Sequence, residues 1–133
     1  MDCVFCKIAN KEIPSYKIYE DEKVLAFLDI NPFTQGHTLL IPKKHSKWIW
    51  DLSEEDYLYL MKKVKVIAKA LEKTFNTEWI VEGVAGIDVP HSHIHIIPRQ
   101  IGDGLGAFPN KLLDPKPTSE EMRGIAERIS KNI

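Results

Sequence analysis

The chain has few cysteines, no long apolar run and no excess of charge of either sign. Its 133 residues include two cysteines, and 18 basic against 19 acidic residues leave a net charge of −1. Two cysteines are too few for a disulfide framework. A balanced charge gives no reason to expect a surface that coats a nucleic acid, although it leaves room for a small phosphorylated ligand.

A membrane segment is also missing from the sequence. The longest stretch without a charged residue, 30–42, has 13 residues and is too short to cross a bilayer. The start of the chain, Met1-Asp2-Cys3, lacks the basic and apolar regions of a secretion signal. We therefore expect a cytoplasmic protein without membrane or nucleic-acid partners, folded as one domain over residues 1–133.

Short apolar runs between turn residues predict a sheet. Strands are expected at 16–19, 24–28, 38–41, 79–81 and 91–98. Apolar residues recur at steps of four and three from Tyr57 to Phe75, which predicts a helix over 54–75 with Ser53 as its N-cap. Thr118 and Glu121 form a capping box for a last helix from about residue 119. The sequence thus predicts an α+β fold with an antiparallel sheet of about five strands.

The most informative segment is a run of alternating histidines, His91, His93 and His95. In an extended chain these three side chains share one face, while Ser92, Ile94 and Ile96 occupy the other. Isoleucine on the opposite face suffices for packing, so stability does not require the histidines. They are expected to bind a metal, or to supply a nucleophile with its helpers, in preference to being half-buried histidines of no further role.

A row of imidazoles suits a phosphate better than it suits one metal ion. Three positions on the same side of a strand cannot converge on one ion unless the strand bends. The oxygens of a phosphate can instead accept hydrogen bonds from the outer rings while the central ring attacks phosphorus.

Several blocks of the chain resemble the histidine triad, or HIT, nucleotide hydrolases and transferases. The similar blocks are 5–8, 12–14, 26–32, 36–45 and the histidine run 91–97, and the resemblance extends from about Cys3 to Arg99. It implies a HIT fold and a two-fold dimer whose two sheets join into one. Trp48, Trp50 and Trp79 could belong to that interface, to the core or to the surface.

The resemblance also implies roles for individual residues. His93 is expected to attack the α-phosphorus and form a nucleotidyl-histidine, with His91 and His95 orienting it and stabilising charge. A nucleoside pocket and a loop beside the phosphate are expected from these residues: Val4, Phe5, Ile8, Phe27, Asp29, Ile30, Asp88 and Val89. Composition alone favours a core role for Phe27 and Ile30, and Asp29 could serve only an Asx turn.

Cys3 and Cys6 can place two thiolates on one tetrahedral ion, and His45 and His91 could complete a Cys₂His₂ set. Many bacterial and archaeal relatives show this arrangement, so we expect a structural Zn²⁺ that ties the amino terminus to the histidine run. A redox pair and two plain thiols are the alternatives.

The loop before the histidines departs from the family pattern. Ile87 stands where the family commonly has glutamine, and Asp88 stands in place of serine, threonine or another small residue. This loss of polar donors leaves the rate and the leaving group open.

Three candidate functions from different classes follow from the sequence. The first is a histidine triad nucleotide hydrolase that cleaves purine nucleoside phosphoramidates or dinucleoside polyphosphates at the α-phosphate. The second is a non-catalytic module that binds a purine nucleotide of the AMP type. A third is a zinc protein in which the triad serves only metal.

Overall fold

A five-stranded antiparallel sheet forms the centre of the molecule. The computed structural model describes residues 3–133, so residues 1 and 2 at the start of the predicted domain lie outside the described residues. The strands are β1 (Lys17–Glu20), β2 (Val24–Leu28), β3 (Thr38–Pro42), β4 (Trp79–Gly83) and β5 (Ile94–Arg99). Their order across the sheet is β1-β2-β3-β5-β4. The predicted α+β fold and strand number are confirmed.

Different helices cover the two faces of the sheet. The elements outside it are α1 (Val4–Ala9), a 3₁₀ turn (Ile49–Asp51), α2 (Glu54–Phe75) and α3 (Ser119–Ser130). Side chains from α2 and α3 form the main core with alternate residues of the strands, including Leu40, Ile94 and Ile96. Residues of the opposite face, such as Phe27 and Leu39, pack against α1 in a second cluster, called the α1 cluster below. Because strand side chains alternate, β5 has isoleucines in the main core and its histidine on the α1 side.

The long helix begins and ends where the apolar period predicts. The Ser53 hydroxyl accepts a hydrogen bond from the backbone N–H of Asp56, and Asn76 ends the helix in the left-handed region at φ 50°. Thr118 and Glu121 form the predicted capping box at the start of α3, and Met122, Ile125 and Ile129 are buried as expected. In residues 3–133, no helix has both the length and the apolar character needed to cross a membrane.

The predicted strand over 91–98 starts too early. Strand β5 begins at Ile94, which lies opposite Leu40 of β3. In the same register Ser92 would face Pro42, which has no N–H to donate to a ladder. The Ser92 N–H instead donates to the carbonyl of Ser46 at 2.7 Å. His91 and His93 therefore precede the strand, and only His95 belongs to it.

Two further differences from the prediction concern the ends of two strands and one short helix. The strands predicted at 16–19 and 79–81 are observed at Lys17–Glu20 and Trp79–Gly83. Helix α1 was not predicted, because its six residues give too little apolar period to detect. A helix this short is not stable alone, so its position depends on the packing of Phe5, its one buried residue.

Two leucines of α2 test the packing of the main core. Leu60 is 0% exposed and Leu58 is 60% exposed. We expect Leu60→Ala to lower the free energy of unfolding by about 2–5 kcal/mol, because it leaves a cavity. Leu58→Ala should change it by less than about 0.5 kcal/mol. Urea unfolding measures both, and equal effects of the two variants would contradict the assignment of the core.

Candidate active site and metal centre

All five histidines of the chain lie in one continuous row on the α1 side of the sheet. The ring centroids of His45 and His91 are 4.9 Å apart, those of His93 and His95 are 5.1 Å apart, and those of His95 and His37 are also 5.1 Å apart. His91 and His93 are joined through the backbone. The three rings of the histidine run thus lie on one side of the sheet, although only His95 belongs to the strand, and the fold adds a further histidine at each end.

His93 occupies the centre of the row with one nitrogen engaged. Its Nδ1 lies 2.7 Å from the carbonyl oxygen of His91. A carbonyl can only accept, so Nδ1 carries the proton and the Nε2 of the neutral ring carries the lone pair. Phe5 packs edge-on against the His93 ring with centroids 5.0 Å apart. The ring is therefore fixed in tautomer and in orientation.

Within the row, the Nδ1 of His91 faces the two cysteines. Its Nε2 donates to the carbonyl of Pro42 at 2.8 Å, so its Nδ1 has the lone pair. That Nδ1 lies 3.4 Å from the sulfurs of both Cys3 and Cys6. With both ring nitrogens engaged, the His91 side chain has none left for a phosphate. Its contribution to His93 comes from the backbone carbonyl.

The donor atoms of Cys3, Cys6, His45 and His91 match a tetrahedral ion in spacing. The His45 Nδ1 lies 3.2 Å from the His91 Nδ1 and 3.2 Å from the Cys6 sulfur. In a tetrahedral zinc site with ordinary bond lengths, such donors are about 3.3–3.6 Å apart. Two thiols, and one ring nitrogen shown to hold a lone pair, are the donor types that Zn²⁺ prefers. These four residues could therefore hold a metal, as the sequence predicted.

His37 and His95 form a hydrogen-bonded pair at the other end of the row. The backbone N–H of Phe33 donates to the His37 Nδ1 at 3.1 Å, so the proton of the neutral ring is on Nε2. The His37 Nε2 lies 2.9 Å from the His95 Nδ1 and donates to it. The remaining proton of a neutral His95 is therefore on its Nε2. The His95 ring, whose centroid lies 5.1 Å from that of His93, therefore offers one N–H donor.

Burial keeps this pair uncharged. It lowers the pKa of His37 to about 3, and the charge of His95 acts in the same direction. Burial also lowers the pKa of His95 to about 4, with a further contribution from His93. His37 was not among the predicted site residues. The sequence feature that could have identified it is its position directly after Gly36, in one of the blocks that resemble the HIT family.

Asp29 has both an Asx turn and a place in the site. Its Oδ1 accepts a hydrogen bond from the backbone N–H of Asn31 at 2.8 Å, which is the local role considered as the alternative. Its Oδ2 lies 3.6 Å from the His37 Nε2. Burial raises the pKa of this carboxyl group, although the Asn31 N–H, His93 and Lys116 oppose the shift. One carboxylate oxygen is thus available beside the histidine row.

The other residues predicted for the nucleoside pocket lie around Phe5. The ring of Phe5 contacts that of Phe27 edge-on, with centroids 5.7 Å apart, and both rings are buried. Ile8 packs against the same cluster, whereas Val4 and Ile30 are exposed. Phe27 has the core position that composition favours, and Ile30 does not.

The loop after β4 is shaped by contact with a tryptophan. Gly86 has φ +76°, and a Cβ at this position would lie 2.5 Å from the Trp48 ring. Glycine is therefore required at position 86 for two reasons: the positive φ angle, and the close approach of the Trp48 ring. Trp48 in turn stacks on Trp50 at 5.1 Å. Val89 packs against the α1 cluster, while Ile87 and Asp88 are exposed.

The fold and the site define a small α+β domain built around a row of histidines, and comparisons with known proteins agree. The family model of the HIT domain matches residues 10–102. An uncharacterized HIT-like protein of Borreliella burgdorferi is 42% identical over 139 aligned residues, with 99% of each chain covered. The chain belongs to the HIT family.

Two other relatives bear on the site. The adenosine 5'-monophosphoramidase hnt1 of Schizosaccharomyces pombe is 37% identical, over 100% of this chain and 99% of that protein. A Zn-bound histidine triad family protein from Mycobacterium smegmatis superposes with a TM-score of 0.84 at 30% identity, covering 99% and 93% of the two chains.

The low pKa of His37 predicts an effect of pH on stability. Since the folded-state pKa of about 3 lies below the ordinary value of 6.5, unfolding takes up a proton between these values. His37 should therefore contribute its full stability above about pH 6.5 and lose it as the pH falls toward 3. We expect the unfolding free energy of the parent chain to fall more steeply from pH 7 to pH 4 than that of His37→Gln. Urea unfolding at each pH measures both, and parallel curves would contradict the buried neutral ring.

Proposed function

We propose that the protein is a nucleotide hydrolase that cleaves at the α-phosphate through His93. The substrates are purine nucleoside phosphoramidates or dinucleoside polyphosphates. The observation that carries this proposal is the hydrogen bond from the His93 Nδ1 to the His91 carbonyl, 2.7 Å long. It leaves the Nε2 lone pair free to attack. The name of the fission yeast relative, adenosine 5'-monophosphoramidase, supports the same reaction class.

The reaction takes place in two steps at phosphorus. The His93 Nε2 forms a bond to the α-phosphorus as the bond from phosphorus to the leaving nitrogen breaks, and the amine departs with a proton from water. Water then attacks the phosphorus, the bond to His93 breaks, and the proton returns to solvent. The sum is a phosphoramidate and one water giving a nucleotide and an amine.

The neighbours of His93 have separate tasks in this scheme. The Nε2–H of His95 donates to a phosphoryl oxygen, where negative charge builds up. His37 holds the tautomer of His95 through their 2.9 Å hydrogen bond. The Oδ2 of Asp29 accepts from the ribose hydroxyls, and the Phe5 side of the site flanks the base. The N–H of His95 and the Oδ2 of Asp29 support the first and third of these tasks, because both are available beside the row.

Cys3, Cys6, His45 and His91 would hold a structural Zn²⁺. Four protein donors close the coordination shell, so the ion would supply cross-linking and no open position for a substrate. It would tie the start of α1 to the residue whose carbonyl orients His93. The Zn-bound relative from Mycobacterium smegmatis supports a zinc site in this fold.

We further propose a homodimer formed along β4. This strand is at one edge of the sheet, and its Trp79 is 52% exposed. An edge strand has backbone groups free to pair with a second copy. Pairing of two such edges would join the sheets of both protomers.

A second candidate, a non-catalytic module that binds a nucleotide, is favoured by the loop before the triad. Ile87 is 90% exposed, and its side chain has no polar group to contact a phosphate. A protein with this function would bind AMP without turnover.

The covalent step has a direct test. We expect rapid mass spectrometry, without acid, to find one adenylyl group on the parent chain during turnover of an adenosine 5'-phosphoramidate. His93→Ala should show no adduct and should lose at least about a thousandfold in kcat. Leu58→Ala, at an exposed position of α2, serves as the matched control and should form the adduct.

Calorimetry with AMP separates the two candidate functions. Binding of AMP together with turnover supports the hydrolase. Binding of AMP by folded parent protein that turns over neither substrate class would favour the non-catalytic module.

The metal centre has its own test. We expect about one zinc per parent chain by elemental analysis after exchange against a weak chelator. Cys6→Ser should weaken zinc binding by about 10-fold or more, because a thiolate ligand is lost. Ser53→Ala, which removes only a helix cap, should keep the zinc. A parent chain that binds none would contradict the assignment.

A further inference from the structure

The loop between β4 and β5 runs alongside the histidine row. Strand β4 ends at Gly83, which pairs with His95, and the loop ends where the chain reaches His91. The segment thus leaves the sheet beside one histidine of the row and returns at another. The loop therefore borders the row at the two histidines on either side of His93.

Contacts hold both flanks of the loop and leave its tip exposed. Gly86 is held against the ring of Trp48, and Val89 packs against the α1 cluster. Ile87 and Asp88 lie between these anchors, and both are exposed. The tip is therefore fixed in place by its neighbours, although its own side chains reach solvent.

The Asp88 charge has no partner in residues 3–133. No ion pair involves it, and its carboxylate accepts no side-chain hydrogen bond from the histidines. The same carboxylate acts on His95, where it opposes part of the lowering of the pKa that burial and His93 cause. The loop thus carries a negative charge, unpaired within residues 3–133, alongside the histidine row.

A carboxylate in this position discriminates between leaving groups by charge. The group that departs from a dinucleoside polyphosphate is a negatively charged nucleotide, which Asp88 repels. An amine that bears a second, protonated amino group is attracted instead. At separations of several ångströms in partly solvated surroundings, one unit of charge changes affinity by about three- to tenfold.

We propose that Asp88 makes the leaving-group side of the site specific for cationic amines. The substrates of the proposed hydrolase are then nucleoside phosphoramidates of positively charged amines, and dinucleoside polyphosphates are disfavoured. This inference rests on the proposed function for its reaction, but the charge preference itself is a property of binding.

Three phosphoramidates of nearly equal size provide the test. Adenosine 5'-phosphoramidates of ethylenediamine, propylamine and glycine present a cationic, a neutral and an anionic leaving group. Calorimetry on His93→Ala, which should bind without turnover, measures their dissociation constants. The cationic compound is expected to bind at least about tenfold more tightly than the anionic one, and the ratio should shrink as salt is raised.

A second substitution assigns the preference to one residue. In the His93→Ala background, Asp88→Asn should reduce the ratio to within about threefold of unity. Glu127→Gln, which removes the same charge from an exposed position of α3, should keep the full ratio. A ratio unchanged by Asp88→Asn, or equal binding of the three compounds, would overturn the proposal.

Turnover by the parent chain is measured separately with the same compounds. A charge preference in binding without any turnover would count against the proposed hydrolase and leave the role of Asp88 standing. Turnover without a charge preference would support the proposed hydrolase and overturn the role proposed for Asp88.

Discussion

The arrangement of the site depends on one short hydrogen bond, from the Nδ1 of His93 to the backbone carbonyl of His91. It fixes which nitrogen of the central ring is free, and it does so through the main chain. The side chain of His91 is thereby released for a different task beside Cys3 and Cys6. One residue thus serves the central ring with its carbonyl and the cysteine cluster with its imidazole.

The same principle applies to four of the five histidines. Each of these rings has one nitrogen committed to a fixed partner: the Pro42 carbonyl for His91, the His91 carbonyl for His93, His37 for His95 and the Phe33 N–H for His37. Backbone groups set which ring nitrogens are protonated. The carbonyls of Pro42 and His91 can only accept a hydrogen bond, and the Phe33 N–H can only donate one. Burial keeps His37 neutral, so the directions of the hydrogen bonds made by these four rings follow. The site is therefore ordered before any ligand arrives.

Much of this could be predicted from the sequence, for reasons that differ by element. The period of α2 is long and regular enough to give both of its ends, and the capping box gave the start of α3. The Cys₂His₂ cluster followed from donor types and from the resemblance to the HIT family. The start of β5 could not be predicted, since it depends on Pro42 in a neighbouring strand and on a hydrogen bond to Ser46. The contact between His37 and His95 joins residues 58 apart in the chain, and no local pattern reports such a pair.

The tautomers of the rings test this account most directly, because each is dictated by a named partner. Long-range ¹H–¹⁵N NMR of the ¹⁵N-labelled protein at neutral pH distinguishes a protonated ring nitrogen from one with a lone pair. A proton is expected on Nδ1 of His93 and on Nε2 of His91, His95 and His37. A proton on Nε2 of His93 would contradict it, since that nitrogen could then not attack phosphorus.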